Sequence, residues 1–275
     1  MRRRVVAAFA AVALGLTALF GASAAAFADT PPGLAYVALG DSEAAGTGIP
    51  GCVHAPDAYP AVLAASYGQS PFFSAACAGA TTADVYTQLG YLSAHGAIGG
   101  GTGLVTLTVG INDLGWQNTL LACSGANVTA ACLQSLATTM TSARSLPGKI
   151  SALVTAIRAV APNAKIRVTD YPMLFGFVSG TCNIGSIGGV PVNVTATQAT
   201  LVDGALVGVG AFIRQGVAGA HDANAQFVGV IAGFLGHGLC TSDPWIFGFG
   251  PVFLDGLHAN AQGEAEYAKL IARTI

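Results

Sequence analysis

Tyr36-Val37-Ala38-Leu39-Gly40-Asp41-Ser42 is the stretch on which the reading of this 275-residue chain turns. It begins as a short apolar run with the character of a buried strand. It ends in Gly-Asp-Ser, where a strand should stop and a helix should start. A serine at such a junction lies beyond the strand's carboxyl end, where backbone N–H groups and the positive end of a helix dipole gather. That setting suits a nucleophile whose product is an oxyanion. Ala44, Ala45 and Gly46 follow and leave room for a substrate carbonyl to approach. Gly, Asp and Ser also favour ordinary capped turns, so the case for Ser42 rests on partners elsewhere in the chain.

Outward from this stretch, strand-like and helix-like segments alternate. Strands are predicted at 34–39, 72–76, 104–109, 165–169 and 225–231, the third rich in β-branched residues. Helices are predicted at 57–67, from Thr81 or Thr82 to Gly90, within 117–135, over 149–160 and 195–219, and at 261–272. Asp57 is the expected cap of the first, with Pro60 in its first turn. Residues 176–194 read as a Gly-rich loop, and Gly233 to Leu254 as a Gly- and aromatic-rich one. No internal repeat or interdomain linker is visible. Alternating strands and helices imply a mainly parallel sheet covered on both faces. Ligands of such sheets bind at the carboxyl ends of the strands. Gly40-Asp41-Ser42, Gly79-Ala80 and Gly110-Ile111-Asn112-Asp113 follow the first three strands and would all face that edge.

The N-terminus has the form of an export signal. Arg2, Arg3 and Arg4 precede an apolar run to about Phe20, and Ala26-Phe27-Ala28 fits a cleavage site. The expected organisation is a signal peptide over 1–28 and one large α/β domain over 29–275. No later segment reads as membrane-spanning; the apolar run 227–235 is too short. Three of the 11 Lys+Arg lie in the leader, which leaves 8 against 13 Asp+Glu. That balance has no basic patch and makes no case for nucleic acid. Charged residues are 9% of the chain, and such a surface suits neutral or apolar substrates better than polyanions. Cys52, Cys77, Cys123, Cys132, Cys182 and Cys240 form an even set, which in an exported chain implies disulfides in any of fifteen pairings. None has zinc-ligand spacing with another Cys or His. Asn127-Val128-Thr129 and Asn193-Val194-Thr195 fit the glycosylation sequon.

A serine needs a base to take its proton. Of the five histidines only His258 has an acid at a useful spacing, in Leu254-Asp255-Gly256-Leu257-His258. A tight turn there would bring the Asp255 carboxylate to the ring, orienting it and stabilising its charged form. Oxyanion donors are available from the backbone N–H groups of Ser42 and Gly79 and the side-chain amide of Asn112. Asp41 and Asp113 read as structural. The run Trp245-Ile246-Phe247-Gly248-Phe249 reads either as the wall of an acyl pocket or as core. No Gly-x-Ser-x-Gly elbow is present, and neither is a P-loop.

With these residues in hand, residues 34–275 resemble the secreted GDSL, or SGNH-type, hydrolases, with the nearest likeness to disulfide-rich bacterial esterases and lipases. Four blocks stand in order: Gly40-Asp41-Ser42, Cys77-Ala78-Gly79-Ala80-Thr81-Thr82-Ala83-Asp84, Gly110-Ile111-Asn112-Asp113 and Asp255-Gly256-Leu257-His258. The resemblance implies a flavodoxin-like three-layer α/β/α sandwich and cofactor-free, metal-free ester hydrolysis through an acyl-enzyme. It also implies sequential pairing of the cysteines as Cys52–Cys77, Cys123–Cys132 and Cys182–Cys240. Three positions depart from the pattern. Glu43 stands where such enzymes often carry Tyr or Leu, Ile111 replaces a frequent glycine, and Ala259 replaces a proline frequent after the histidine. The expectation is a secreted, monomeric serine esterase or lipase acting on small-molecule or lipid esters, without nucleic acid partners or a stable membrane anchor. A polysaccharide deacetylase, or a non-catalytic binding module on the same fold, are the alternatives.

Overall fold

A computed structural model describes residues 33–187, 189–250 and 255–275. The signal-peptide reading of residues 1–28 falls outside them, as do residues 251–254 of the loop before Asp255. Five strands form one parallel sheet: β1 (Tyr36–Gly40), β2 (Phe72–Ser74), β3 (Leu104–Thr108), β4 (Lys165–Thr169) and, last in the sheet, β7 (Ala225–Val228). Their order is β2-β1-β3-β4-β7, with every pairing parallel. The chain moves from β1 to one side and then returns to the other, so the strand order reverses between β1 and β3. Ligands bind at such a switch point, beyond the strands' carboxyl ends.

Alternation along β1 separates two cores. Tyr36 and Ala38 face one layer, which includes Tyr59 and Leu63 of α2 (Tyr59–Ser66) and Tyr267 and Ile271 of α8 (Ala261–Ala272). Val37 and Leu39 face the other, built from α3 (Thr82–Ala94), α6 (Leu146–Val160) and part of α7 (Ala196–Gly219). Helices on both faces make the expected α/β/α sandwich. Among the described residues, α7 alone is long and apolar enough to cross a membrane; here it lies along α6. A Cβ at Gly216 would stand 2.6 Å from Cβ of Ile150, so the glycine is what lets the two helices approach.

Three readings of the sequence change. Asp57 does not cap α2. The N-cap is Ala58, and the Tyr59 N–H donates to Glu264 Oε2 of α8 at 2.7 Å. Residues 176–194 are not all loop: β5 (Thr181–Ile187) and β6 (Val190–Thr195) form an antiparallel hairpin separate from the main sheet. Helix α6 begins at Leu146 rather than Lys149, because Pro147 sits in its first turn instead of interrupting it. The excursion at 117–135 resolves into α4 (Trp116–Ala122) and α5 (Ala130–Ala143). The threonines of both sequons are helix caps. Thr129 accepts from the Cys132 N–H at the start of α5, and Thr195 from the Gln198 N–H at the start of α7.

The disulfides pair sequentially, as the resemblance implied: Cys52–Cys77, Cys123–Cys132 and Cys182–Cys240. The first joins the segment after Ser42 to the Gly79 turn. The second closes the α4–α5 connection. The third ties β5 to the loop that leads toward His258.

Candidate active site

Gly40 ends β1 at φ +137°, and a Cβ there would fall 2.1 Å from the Thr108 carbonyl oxygen of β3. Only glycine lets the two strand ends come this close. Gln88 of α3 locks that backbone from the other side: its Nε2 donates to Gly40 O at 2.8 Å, and Gly40 N donates to its Oε1 at 2.9 Å. Ser42 then opens the short helix α1 (Ser42–Ala45), which Asp41 caps by accepting from Glu43 N.

Asp41 also accepts from Tyr171 Oη, which itself accepts from the Ile111 N–H at 3.1 Å. This chain of hydrogen bonds joins the ends of β1, β3 and β4. Burial pushes the Asp41 carboxyl up to about 7, against the lowering pull of its hydrogen bonds from Tyr171 and Glu43 N. Asp113 holds Thr82 through both its backbone N–H and its hydroxyl, and pairs with Lys149. Both aspartates serve the framework, as expected.

Gly79 adopts φ +78° and Asn112 lies in a short 3₁₀ turn, Ile111–Leu114, after β3. The Asn112 amide is fixed from both ends: Oδ1 accepts from Trp116 Nε1 at 3.1 Å, and Nδ2 donates to Ala80 O at 3.0 Å. Nδ2 carries a second hydrogen, so one donor is left over from this anchoring. Ser42, Gly79, Asn112 and His258 line one common cleft, together with Ile187 and Phe249.

His258 is buried and sits in a loop braced by the aromatic run. Leu257 N donates to Phe247 O, Phe247 N to His258 O, and Asn260 N to Trp245 O. Trp245 itself stacks on His237 with ring centroids 3.5 Å apart, and Ile246 is core. Most of this run therefore supports the His258 loop, while Phe249 reaches the cleft. The residue before the histidine, Leu257, is in the left-handed region at φ +71°, a costly position for a branched side chain.

Burial lowers the His258 pKa below its ordinary 6.5, opposed by the backbone of Asp255 and Gly256 and by the Asp255 charge. His258 Nδ1 is buried with no hydrogen-bond partner. The Asp255 carboxylate instead accepts from Thr47 Oγ1 at 2.7 Å. Asp255 thus acts on the ring through its field, and its hydrogen bond anchors the loop to the segment after α1.

Ser42 and His258 also line a second, apolar pocket. Its walls are Leu120 of α4, Leu136 of α5, Val202, Leu206 and Val209 of α7, and Leu257. Four residues that shape the site carry no signal in the local sequence. Gln88, Tyr171, Thr47 and Glu264 are single polar residues in helices or loops, and only long-range contact shows their role.

Fold and site together place a serine and a histidine in the lining of one cleft at the switch point of a parallel sheet. Residues 38–265 match the GDSL-like lipase/acylhydrolase family. Lipase 1 of Streptomyces coelicolor is 35% identical over 83% of this chain and 81% of its own length. A lipase of Streptomyces rimosus is 30% identical over 97% and 96%. Among solved structures, the extracellular lipase of Streptomyces rimosus superposes with a TM-score of 0.74 at 27% identity, covering 87% of this chain and 99% of that one. Phospholipase A1 of Streptomyces albidoflavus gives 0.74 at 29%, covering 87% and 98%. This chain belongs to the GDSL-like lipase/acylhydrolase family. It is a serine ester hydrolase, and its three disulfides fit an oxidising compartment.

Proposed function

We propose that this protein is an exported lipase or long-chain esterase, made with a signal peptide over residues 1–28, that hydrolyses lipid esters through an acyl-enzyme on Ser42. The observation that carries this reading is the apolar pocket opening at Ser42 and His258 and walled by α4, α5 and α7. An acyl chain would lie in that pocket, and the rest of the ester in the adjoining cleft that holds Gly79 and Asn112.

In this reading Ser42 Oγ attacks the ester carbonyl carbon as His258 takes its proton. The N–H groups of Ser42 and Gly79 and the free hydrogen of Asn112 Nδ2 stabilise the oxyanion. Collapse breaks the bond to the alcohol, which leaves with the proton from His258. Water, activated by the same histidine, then releases the acid. Asp255 favours the imidazolium through its charge and holds the loop through Thr47. Every proton moves between the substrate, water and these side chains.

A series of p-nitrophenyl esters of increasing acyl length tests the proposal. Catalytic efficiency should rise from acetate to medium and long chains. Activity confined to acetate would refute the acyl-pocket reading and favour a deacetylase.

A further inference from the structure

The cleft at Ser42 is bordered by exposed apolar side chains from three separate parts of the chain. Ile49, 38% exposed, stands between Gly48 and Pro50, both of which line the cleft. Leu121 of α4 lines it directly and is 59% exposed. Val190, at the start of β6, is 67% exposed and pairs in register with Ile187 of β5, another lining residue. One apolar side chain in water is ordinary. Three gathered around one cleft mark a surface that meets something apolar.

Charge decides what that is. Residues 44–56, 114–143 and 171–202 supply this rim and much of the apolar pocket's wall, and none of them is Asp, Glu, Lys or Arg. The cleft lining has none either. Charged groups stand at the far edge of the sheet: Lys165 begins β4, and the Arg158–Asp222 pair lies just before β7. An anionic membrane or a nucleic acid would ask for cations at the rim. A zwitterionic lipid layer asks for none. The support for Val190 is also rigid. The Cys182–Cys240 bridge ties β5 down, the Ser186 N–H donates to Phe249 O at 3.1 Å, and the Phe249 N–H donates to Ile184 O at 2.7 Å. The hairpin is thus fastened to the cleft wall that Phe249 forms, and docking through it requires little further ordering.

We propose that this rim is a docking face for zwitterionic lipid layers. Ile49, Leu121 and Val190 seat among the head groups and upper acyl chains, and a lipid ester moves from the layer into the cleft without crossing water. Resting as it does on lipid-ester hydrolysis at Ser42, the inference is tested on the full chain carrying Ser42→Ala, so that binding is read without turnover. This variant should sediment with phosphatidylcholine vesicles, and the bound fraction should be the same at low and high salt, because no charge contributes. Adding Val190→Asp or Ile49→Ser should weaken vesicle binding about tenfold, since affinity for an interface scales with the apolar area buried. In the active enzyme, Val190→Asp should leave hydrolysis of dissolved p-nitrophenyl acetate unchanged and lower hydrolysis of vesicle-borne ester about tenfold. Should Val190→Asp not fold, Val190→Ser takes its place in both comparisons. No vesicle binding, binding abolished by salt, or binding by both rim variants equal to that of Ser42→Ala alone would each overturn the docking face. So would a dimer that Val190→Asp breaks apart, seen by sedimentation velocity without vesicle binding, because a second copy would then cover the rim. Failure of the lipid-ester reading leaves a different mark: activity on the dissolved p-nitrophenyl series would be confined to acetate, whatever Ser42→Ala does with vesicles.

Discussion

Each proposed catalytic group makes a different demand on its neighbours. Ser42→Ala and His258→Ala should each remove nearly all turnover, and the losses should not add, because the two act as one unit. Asn112→Ala should cost about 10²–10³ in kcat with little change in KM, since its free hydrogen would meet charge present only in the transition state. No hydrogen bond joins the Asp255 carboxylate to the ring, so Asp255→Asn should cost less than His258→Ala. Steady-state kinetics of the four variants checks all of these. The acid limb of the pH–rate profile should have its midpoint below 6.5, because burial holds His258 neutral and a neutral ring is the competent base. A midpoint above 6.5 would contradict the burial argument. Glu43 makes the opposite prediction for stability. Its carboxyl is raised to about 8 by burial, so the folded state holds a proton that the unfolded chain releases near the ordinary carboxylate range. Stability from this group is full below that range, declines as pH rises, and levels off above about 8. Glu43→Gln should flatten the fall in Tm between about pH 5 and 8, measured by thermal melts across pH.

At the scale of elements, the site depends on strand ends held by side chains from helices. Gln88 of α3 satisfies both the N–H and the C=O of Gly40. Gln88→Ala would leave the buried Gly40 N–H unpaired, at a cost of about 1–3 kcal/mol, while the Gly40 carbonyl keeps its bond from the Cys77 N–H. Tm should fall clearly, and activity should fall with it as Ser42 loses its fixed position. Asp203 of α7 plays the same part for another loop, accepting from the N–H groups of Leu174, Phe175 and Gly176. The segment thus held supplies Leu174 to the apolar pocket. The aromatic run at 245–249 also works at this scale. Its backbone pairs with the His258 loop in the manner of a short antiparallel ladder.

For the whole molecule, the question is which ester enters. The apolar pocket lies between the sheet edge and the helices α4, α5 and α7, and narrowing it should shorten the acyl chain accepted. Val202→Trp would fill it from α7 without touching Ser42 or His258. The preferred p-nitrophenyl ester should shift toward acetate while the acetate rate stays measurable. An unchanged chain-length profile would place the acyl chain elsewhere. Of the three bridges, Cys123–Cys132 joins the two helices that build one wall of this pocket. Replacing both cysteines by serine should weaken long-chain hydrolysis more than acetate hydrolysis.

Much of this architecture was legible from local pattern. A parallel sheet under two helical layers follows from apolar runs alternating with helix-length segments. The placing of Ser42, Gly79 and Asn112 at one edge follows from their positions after successive strands. Helix α8 and strand β4 have the bounds their patterns predict. These features are local, and short-range chemistry determines them: apolar runs, caps and turn residues. What tertiary structure alone decided involves pairs of residues far apart. Glu264 replaces Asp57 at the start of α2 because α8 packs against it. The β5–β6 hairpin is hidden in the sequence because Gly185 interrupts β5 and Pro191 stands inside β6, so neither reads as a continuous strand. The aromatic run became a brace because its backbone, rather than its rings, meets the His258 loop. Thr47 claims the Asp255 carboxylate across more than 200 residues of chain. No sequence period encodes such contacts; they exist only once the sheet has brought the two ends of the chain to one edge.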